Sequence, residues 1–139
     1  MDDRIIENAH ELNANLSLRQ ISLLIFLGAL FWFMAALLMR AIVPLPFYDG
    51  WGVATVYVLT IPATLPFVFI VSKISALHRS QIAIGYTIAT TAALLLDGCA
   101  FAVIPWLYAD NSTDALQAAA AILWGAGVGQ MLAFINSRR

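Results

Sequence analysis

Two charged residues lie within or at the edge of long apolar stretches. Their residue types make them the best candidates in this chain for binding or proton chemistry. Asp97 is the only carboxylate between Gln81 and Trp106, and Arg40 lies near the end of the first apolar segment. A charge at the centre of a bilayer costs about 2.5–3.5 kcal/mol on insertion scales, so such groups seldom face lipid and are often functional. An acid and a base at this depth can bind an ion or a proton, or they can pair with each other.

The expected levels of these two charges predict an ion pair. Arg40 lies 19 residues beyond Ile21, and Asp97 lies 16 residues beyond Gln81, so the levels differ by about 4.5 Å of helical rise. An arginine side chain can span that distance. The pair either fixes the register of two helices or forms a site for a proton, a cation or an anionic headgroup. Alternatively, Arg40 extends to the headgroups, and Asp97 is protonated or bonded to hydroxyls and water.

Four residues of one apolar segment share a helical stripe: Tyr86, Thr90, Ala93 and Asp97. We expect this stripe to face the interior of a helical bundle, with Tyr86 and Thr90 as polar groups beside the carboxylate. No nucleophile–base constellation, His-rich metal spacing or phosphate-binding glycine loop accompanies it. The sequence therefore predicts no enzyme, no cofactor and no metal site.

The composition indicates which elements must position these residues. The chain of 139 residues is 62% hydrophobic and 11% charged, with a mean hydropathy of +0.86. In an ordinary soluble domain about a quarter of the residues are charged. Charges are missing between Arg19 and Arg40, between Asp49 and Lys73, between Arg79 and Asp97, and between Asp114 and Arg138. Each gap is close to the ~20 residues that cross a bilayer as a helix. The sequence therefore predicts an all-α, integral membrane four-helix bundle.

We expect one transmembrane domain at residues 18–139, preceded by a polar segment at residues 1–17. The predicted helices cover about residues 18–43, 51–75, 81–107 and 115–136. Ser17 and Gln20 have the spacing of a capping box at the start of the first helix. The N-terminal segment is either a short amphipathic helix on the membrane surface or a frayed terminus.

The second predicted helix contains Pro62 and Pro66, which are four residues apart and therefore on one face. Each proline leaves the carbonyl four residues earlier without its usual partner. In a bilayer those carbonyls need a neighbouring group, water, or a hydroxyl such as that of Thr60 or Thr64. We expect a kink, which is either a static bend that shapes the bundle or a moving hinge beside a cavity.

In the last predicted helix Ala121, Gly125 and Gly129 repeat every four residues, which is typical of a face for close helix contact. The partner is either the first helix of the same chain or another copy. The contact would then build a homo-oligomer or a larger membrane complex.

The basic residues predict an orientation in the bilayer. Six of the seven belong to the N-terminus, the middle loop or the C-terminus, and only Arg40 lies toward the other side. This bias predicts that both termini are cytoplasmic. The bases form no cluster that would indicate nucleic-acid binding.

Four short motifs occur in order from about residue 20 to the end: Ala36-Leu37-Leu38-Met39-Arg40, Thr60-Ile61-Pro62, Leu94-Leu95-Leu96-Asp97-Gly98 and Leu123-Trp124-Gly125. In this order they resemble a bacterial family of uncharacterised four-helix membrane proteins of about this length. The resemblance implies the same fold, a bacterial inner membrane and a role for Arg40 and Asp97, but no reaction.

The sequence favours two functions over a third. The first is a non-catalytic subunit or assembly protein of a membrane complex, suggested by the small-residue face and the polar N-terminal segment. The alternative is a small transporter or channel that uses Asp97 with Arg40 as an ion or proton site. The chain resembles the small multidrug transporters in size and number of spans, but its first helix lacks the glutamate which that mechanism needs. A membrane enzyme acting on lipid or quinone has the least support.

Overall fold

The structure, a computed structural model, describes residues 15–46 and 48–138, and these residues form four α-helices. The helices are α1 (Leu18–Ile42), α2 (Trp51–Ile74), α3 (Arg79–Val103) and α4 (Ser112–Arg138), with a 3₁₀ turn at Pro105–Leu107. The predicted all-α, four-helix architecture is confirmed, and every observed helix end lies within four residues of its predicted position. The predicted surface helix of the N-terminal segment falls almost entirely outside the described residues.

Local sequence explains where the helices begin and end. The Gln20 backbone N–H donates to Ser17 Oγ at 3.2 Å, and the Ser17 N–H donates to Gln20 Oε1 at 2.9 Å, so the predicted capping box is present. Helix α3 ends at Val103, four residues before its predicted end. The reason is Pro105, which has no backbone donor and also disfavours helical geometry at the residue before it. The chain turns back from this point.

The helices alternate in direction, so the bundle has two different ends. One end, called here the two-loop end, contains the connections at residues 43–50 and 104–111. The other, called the termini end, contains the connection at residues 75–78, the start of α1 and the end of α4. Side-chain amides hold the termini end together: Gln20 Nε2 donates to the Ser75 carbonyl at 3.1 Å, and Gln81 Nε2 donates to the Asn15 carbonyl at 3.0 Å.

Helix α3 is the central element of the bundle. It packs along α1 on one side and along α4 on the other, and α2 packs mainly along α4. Helices α1 and α2 touch each other only slightly. The contact between α1 and α3 is close because Gly28 has no side chain: a Cβ there would overlap the carbonyl oxygen of Ala89. The arrangement leaves space between α1 and α2.

The two prolines of α2 lie on its exposed face, and the helix runs from Trp51 to Ile74 through both of them. The hydroxyls of Thr60 and Thr64 donate to the carbonyls four residues earlier, at 2.8 and 2.6 Å. Those are not the carbonyls that Pro62 and Pro66 leave free, so the proposed hydroxyl compensation does not occur. The kink and the hinge stay predictions.

The outside of the bundle is apolar. Large hydrophobic side chains are exposed on every helix, including Leu18 on α1, Trp51 on α2, Leu95 on α3 and Leu116 on α4. Each helix is long and apolar enough to cross a membrane. Soluble monomers rarely expose continuous apolar patches of more than a few hundred Å². The surface is therefore compatible with a multi-pass membrane protein.

The close approach of α1 and α3 gives a testable prediction. Gly28→Ala should lower the thermal stability of the detergent-solubilised protein, because overpacking of this kind costs about 1–3 kcal/mol. The matched control is Gly127→Ala, since no atom lies within 4 Å of a Cβ at that position. A glycine-to-alanine change at an uncrowded position inside a helix should be neutral or stabilise the protein by about 0.5–1 kcal/mol. Equal melting temperatures for the two variants would contradict the close contact.

Candidate functional site

A cavity of about 640 Å³ lies between the four helices. It borders the gap where α1 and α2 contact each other least, and most of its wall is apolar. The side chains with polar groups in the wall are Trp32, Thr60, Thr64, Tyr86, Thr90 and Asp97. An apolar cavity with a few polar groups is the usual form of a small-molecule site.

Helix α3 places all four residues of the predicted stripe, Tyr86, Thr90, Ala93 and Asp97, at the cavity wall. Their spacing of one turn per step keeps them on one side of the helix. Within the described part of the chain, no hydrogen bond joins the hydroxyl of Tyr86 or that of Thr90 to another residue.

Asp97 is only 6% exposed, and its carboxylate accepts a hydrogen bond from Tyr108. The Tyr108 Oη lies 2.6 Å from Asp97 Oδ1, and the Trp32 Nε1 lies 2.9 Å from Tyr108 Oη. An indole N–H can only donate, so the Tyr108 hydroxyl accepts a hydrogen bond from Trp32. Tyr108 then donates its own O–H to Asp97. The distance to Asp97 lies within the ordinary range of an O–H···O hydrogen bond, about 2.5–3.0 Å. The Trp32–Tyr108–Asp97 chain thus connects α1, the 104–111 connection and α3.

Tyr108 is fixed by its surroundings. Its side chain is fully buried, and its ring stacks on that of Phe101 with centroids 3.8 Å apart and an interplanar angle of 13°. Burial first, and then its hydrogen bond to Asp97, raise the pKa of the Tyr108 phenol above its usual range. The phenol consequently keeps its proton and acts as a donor.

Arg40 has a different partner from the one predicted. Its guanidinium donates to the carbonyl of Trp106 and pairs with Asp110 Oδ1 at 2.8 Å. Both side chains are exposed, 42% for Arg40 and 82% for Asp110. No ion pair joins Arg40 to Asp97 in the described residues, so the structure contradicts the predicted pair. An exposed pair of this kind contributes about 0–1 kcal/mol.

The prediction failed because depth along a helix does not fix the direction of a side chain. The buried residues at this end of α1 are Ala36, Met39 and Val43, and Arg40 lies beside that face. The early end of α3 then lets the chain fold back, which brings Tyr108 over the carboxylate and Asp110 to the guanidinium. The two charges are therefore satisfied separately by one connection.

The small residues of α4 are used inside this chain. Gly129 is buried against Tyr86 of α3, where a Cβ would overlap the phenol oxygen, and Gly125 lies next to Thr60 of α2. Ala121 and Gly125 also line the cavity. The partners of this face are thus α2 and α3, and neither α1 nor a second copy is needed to explain it.

Sequence reasoning did not single out Tyr108 or Trp32 as functional residues. One signal was available. Residues 109–114 contain two acids and no base, and Arg40 is the only base expected at the same end. Opposite charges at one end of a bundle predict an Arg40 contact with this connection. No comparable signal identifies Tyr108 as the donor to Asp97.

Comparisons with known proteins add no relatives. No protein-family model, no curated protein and no solved structure matches the chain. The resemblance to the bacterial four-helix family therefore stays a prediction, and the site is interpreted from its own geometry.

Double-mutant cycles measured by chemical unfolding test the two sets of contacts. Asp97→Leu and Tyr108→Phe should each destabilise, and their effects should be non-additive by about 0.5–3 kcal/mol because the residues are in direct contact. Asp97→Leu and Arg40→Gln should couple less strongly than this, since the two side chains do not touch and are linked only through the 104–111 connection. Coupling between Arg40 and Asp97 as strong as that between Asp97 and Tyr108 would indicate a direct ion pair and contradict the structure.

Proposed function

We propose that this protein crosses a membrane four times and binds an amphiphilic or apolar molecule inside its bundle, as a small transporter or channel. The observation that carries the proposal is the cavity with a buried carboxylate in its wall. A charged group inside a membrane bundle usually marks a substrate or ion path. The other polar groups are hydroxyls and an indole, which suit binding and passage, so the proposal does not include a reaction.

The distribution of charge supports the membrane part of the proposal. Within the described residues the termini end has only cations, namely Arg19, Lys73, Arg79 and Arg138. The two-loop end has the exposed acids Asp49 and Asp110, together with Asp114 and the single cation Arg40. By the positive-inside rule the termini end faces the cytoplasm. The family resemblance would make the membrane a bacterial inner membrane.

The orientation predicts which positions a membrane-impermeant maleimide can label in intact cells. The natural cysteine, Cys99, is first replaced by serine. Thr113→Cys at the two-loop end should be labelled from outside, and His78→Cys at the termini end should be labelled only after the membrane is permeabilised. Both positions are exposed, so they form a matched pair. The reverse labelling pattern would contradict the orientation.

The packing indicates how a molecule enters. Since α1 and α2 barely touch, the cavity has its weakest wall between them. In a bilayer this gap faces lipid, so an apolar molecule can enter sideways without crossing water. Pro62 and Pro66 lie on the outer face of α2 and do not line the cavity. A hinge at these residues would move α2 relative to α1. Such a movement would widen or narrow the gap through which a molecule enters.

The assembly function is the hypothesis that the sequence analysis placed first, and it has lost one of its two supports. The small-residue face of α4 packs against α2 and α3 of the same chain. Its other support, the polar N-terminal segment, lies outside the described residues. A role in a membrane complex stays a prediction, and the cavity favours ligand binding.

Photolabelling tests whether the cavity is occupied from the bilayer. A neutral, diazirine-bearing alkyl alcohol added to the protein in nanodiscs should label residues of the cavity wall, located by mass spectrometry. Ala93→Phe puts a large ring at the wall and should reduce this labelling several-fold. Ala102→Phe is the matched control, because Ala102 is on the exposed face of the same helix and does not line the cavity. Labelling that is confined to the outer surface would exclude the proposed binding function.

A further inference from the structure

We infer that the molecule bound in the cavity is a hydrophobic organic cation whose positive charge is balanced by Asp97. This inference rests on the proposed binding function and specifies its substrate class. Three observations carry it: an uncompensated carboxylate, aromatic rings around the cavity, and too few oxygen ligands for a metal ion.

The first observation is the charge of the cavity. Among the described residues that line it, Asp97 is the only carboxylate, and none is a lysine, arginine or histidine. The guanidinium of Arg40, which would have neutralised Asp97, bonds Trp106 and Asp110 instead. Tyr108 supplies a hydrogen bond but no charge. A carboxylate in a low-dielectric site without a counter-ion attracts a cation strongly and repels an anion.

The second observation is the aromatic wall. Phe31 and Trp32 of α1, Phe67 of α2 and Tyr86 of α3 all line the cavity. The rings of Phe31 and Phe67 meet edge to face with centroids 5.0 Å apart, across the weak boundary between α1 and α2. The faces of aromatic rings stabilise organic cations, by about 0.5–2 kcal/mol per contact. Rings on both sides of the gap would therefore meet a cation as it enters.

The third observation concerns the alternatives. A calcium ion takes about 6–8 oxygen ligands, whereas the cavity offers one carboxylate and a few hydroxyls on a largely apolar wall. A wall of this kind can cover the hydrocarbon part of an organic ion but cannot replace the hydration shell of a metal ion. A volume of about 640 Å³ also exceeds what a bare ion needs. The class that fits is a cation with a large apolar surface.

The test compares two probes of the same shape and opposite charge, tetraphenylphosphonium and tetraphenylborate. The full-length protein is placed in nanodiscs of zwitterionic lipid, and binding of each probe is measured by equilibrium dialysis against empty nanodiscs. The wild type should bind the phosphonium and should not bind the borate above background. Asp97→Asn should weaken phosphonium binding by about tenfold or more, equivalent to about 1.4 kcal/mol. Asp97→Glu should retain most of it.

The matched control is Asp49→Asn, which removes an exposed acid from the same end of the bundle without touching the partners of Arg40. It should leave phosphonium affinity within about twofold, because surface charges are screened by solvent and salt. The neutral photoprobe is applied to every variant, so that Asp97→Asn is compared only as a folded protein with a labelled cavity. If Asp97→Asn does not fold, wild-type discrimination between the two probes and the Asp97→Glu variant supply the result.

The outcomes separate this inference from the proposed function. If the neutral probe labels the cavity but the phosphonium binds equally well to Asp97→Asn, or the borate binds as well as the phosphonium, the cation inference is overturned and the binding function survives. If neither the neutral probe nor the phosphonium reaches the cavity, the binding function itself is wrong. Phosphonium binding that needs a carboxylate at position 97 supports both.

Discussion

The hydrogen bond from Tyr108 to Asp97 is the interaction on which the two-loop end depends. A carboxylate that is 6% exposed needs a donor, and the donor comes from a connection, not from a neighbouring helix. The connection can supply it only because α3 ends at Val103, before Pro105, and the chain turns inward. Stacking on Phe101 then holds Tyr108 in place. Arg40 binds the outer side of the same connection, so two charges on two helices fix one loop from opposite sides.

The sequence was sufficient for properties that depend on local order along the chain. Helix number follows from apolar stretches between charges, and the Ser17–Gln20 capping box follows from spacing alone. The stripe from Tyr86 to Asp97 follows from helical periodicity, and its residues all line the cavity. The Arg40–Asp97 pair failed because it required the relative rotation of two helices and the path of a loop. Both depend on how the helices pack and on where Pro105 ends α3. Comparing the depths of Arg40 and Asp97 in the bilayer gives no information on either.

The cavity results from unequal packing around α3. Gly28 lets α1 approach α3, and Gly129 accommodates the phenol of Tyr86 between α3 and α4. Small residues of this kind allow backbones or large side chains to come close. Helices α1 and α2 have few contacts in the described part of the chain, among them the edge-to-face pair of Phe31 and Phe67. The bundle is thus tightly packed between α1 and α3 and between α3 and α4, and loosely packed between α1 and α2. The loosely packed boundary is beside α2, the helix that contains both prolines.

Because Arg40 and Asp97 have different partners, the charge of Asp97 is not balanced inside the cavity. Had Arg40 reached Asp97, the interior would be neutral and the pair would be a structural element. With Arg40 held at the surface, the interior keeps one acid that only a proton or a bound cation can neutralise. A proton and the proposed cation would compete for the same carboxylate, so occupancy by one must weaken the other by the same factor. A single acid in an aromatic, largely apolar cavity would therefore be enough to couple binding of the proposed cation to proton binding, without a second carboxylate among the described residues of the cavity wall.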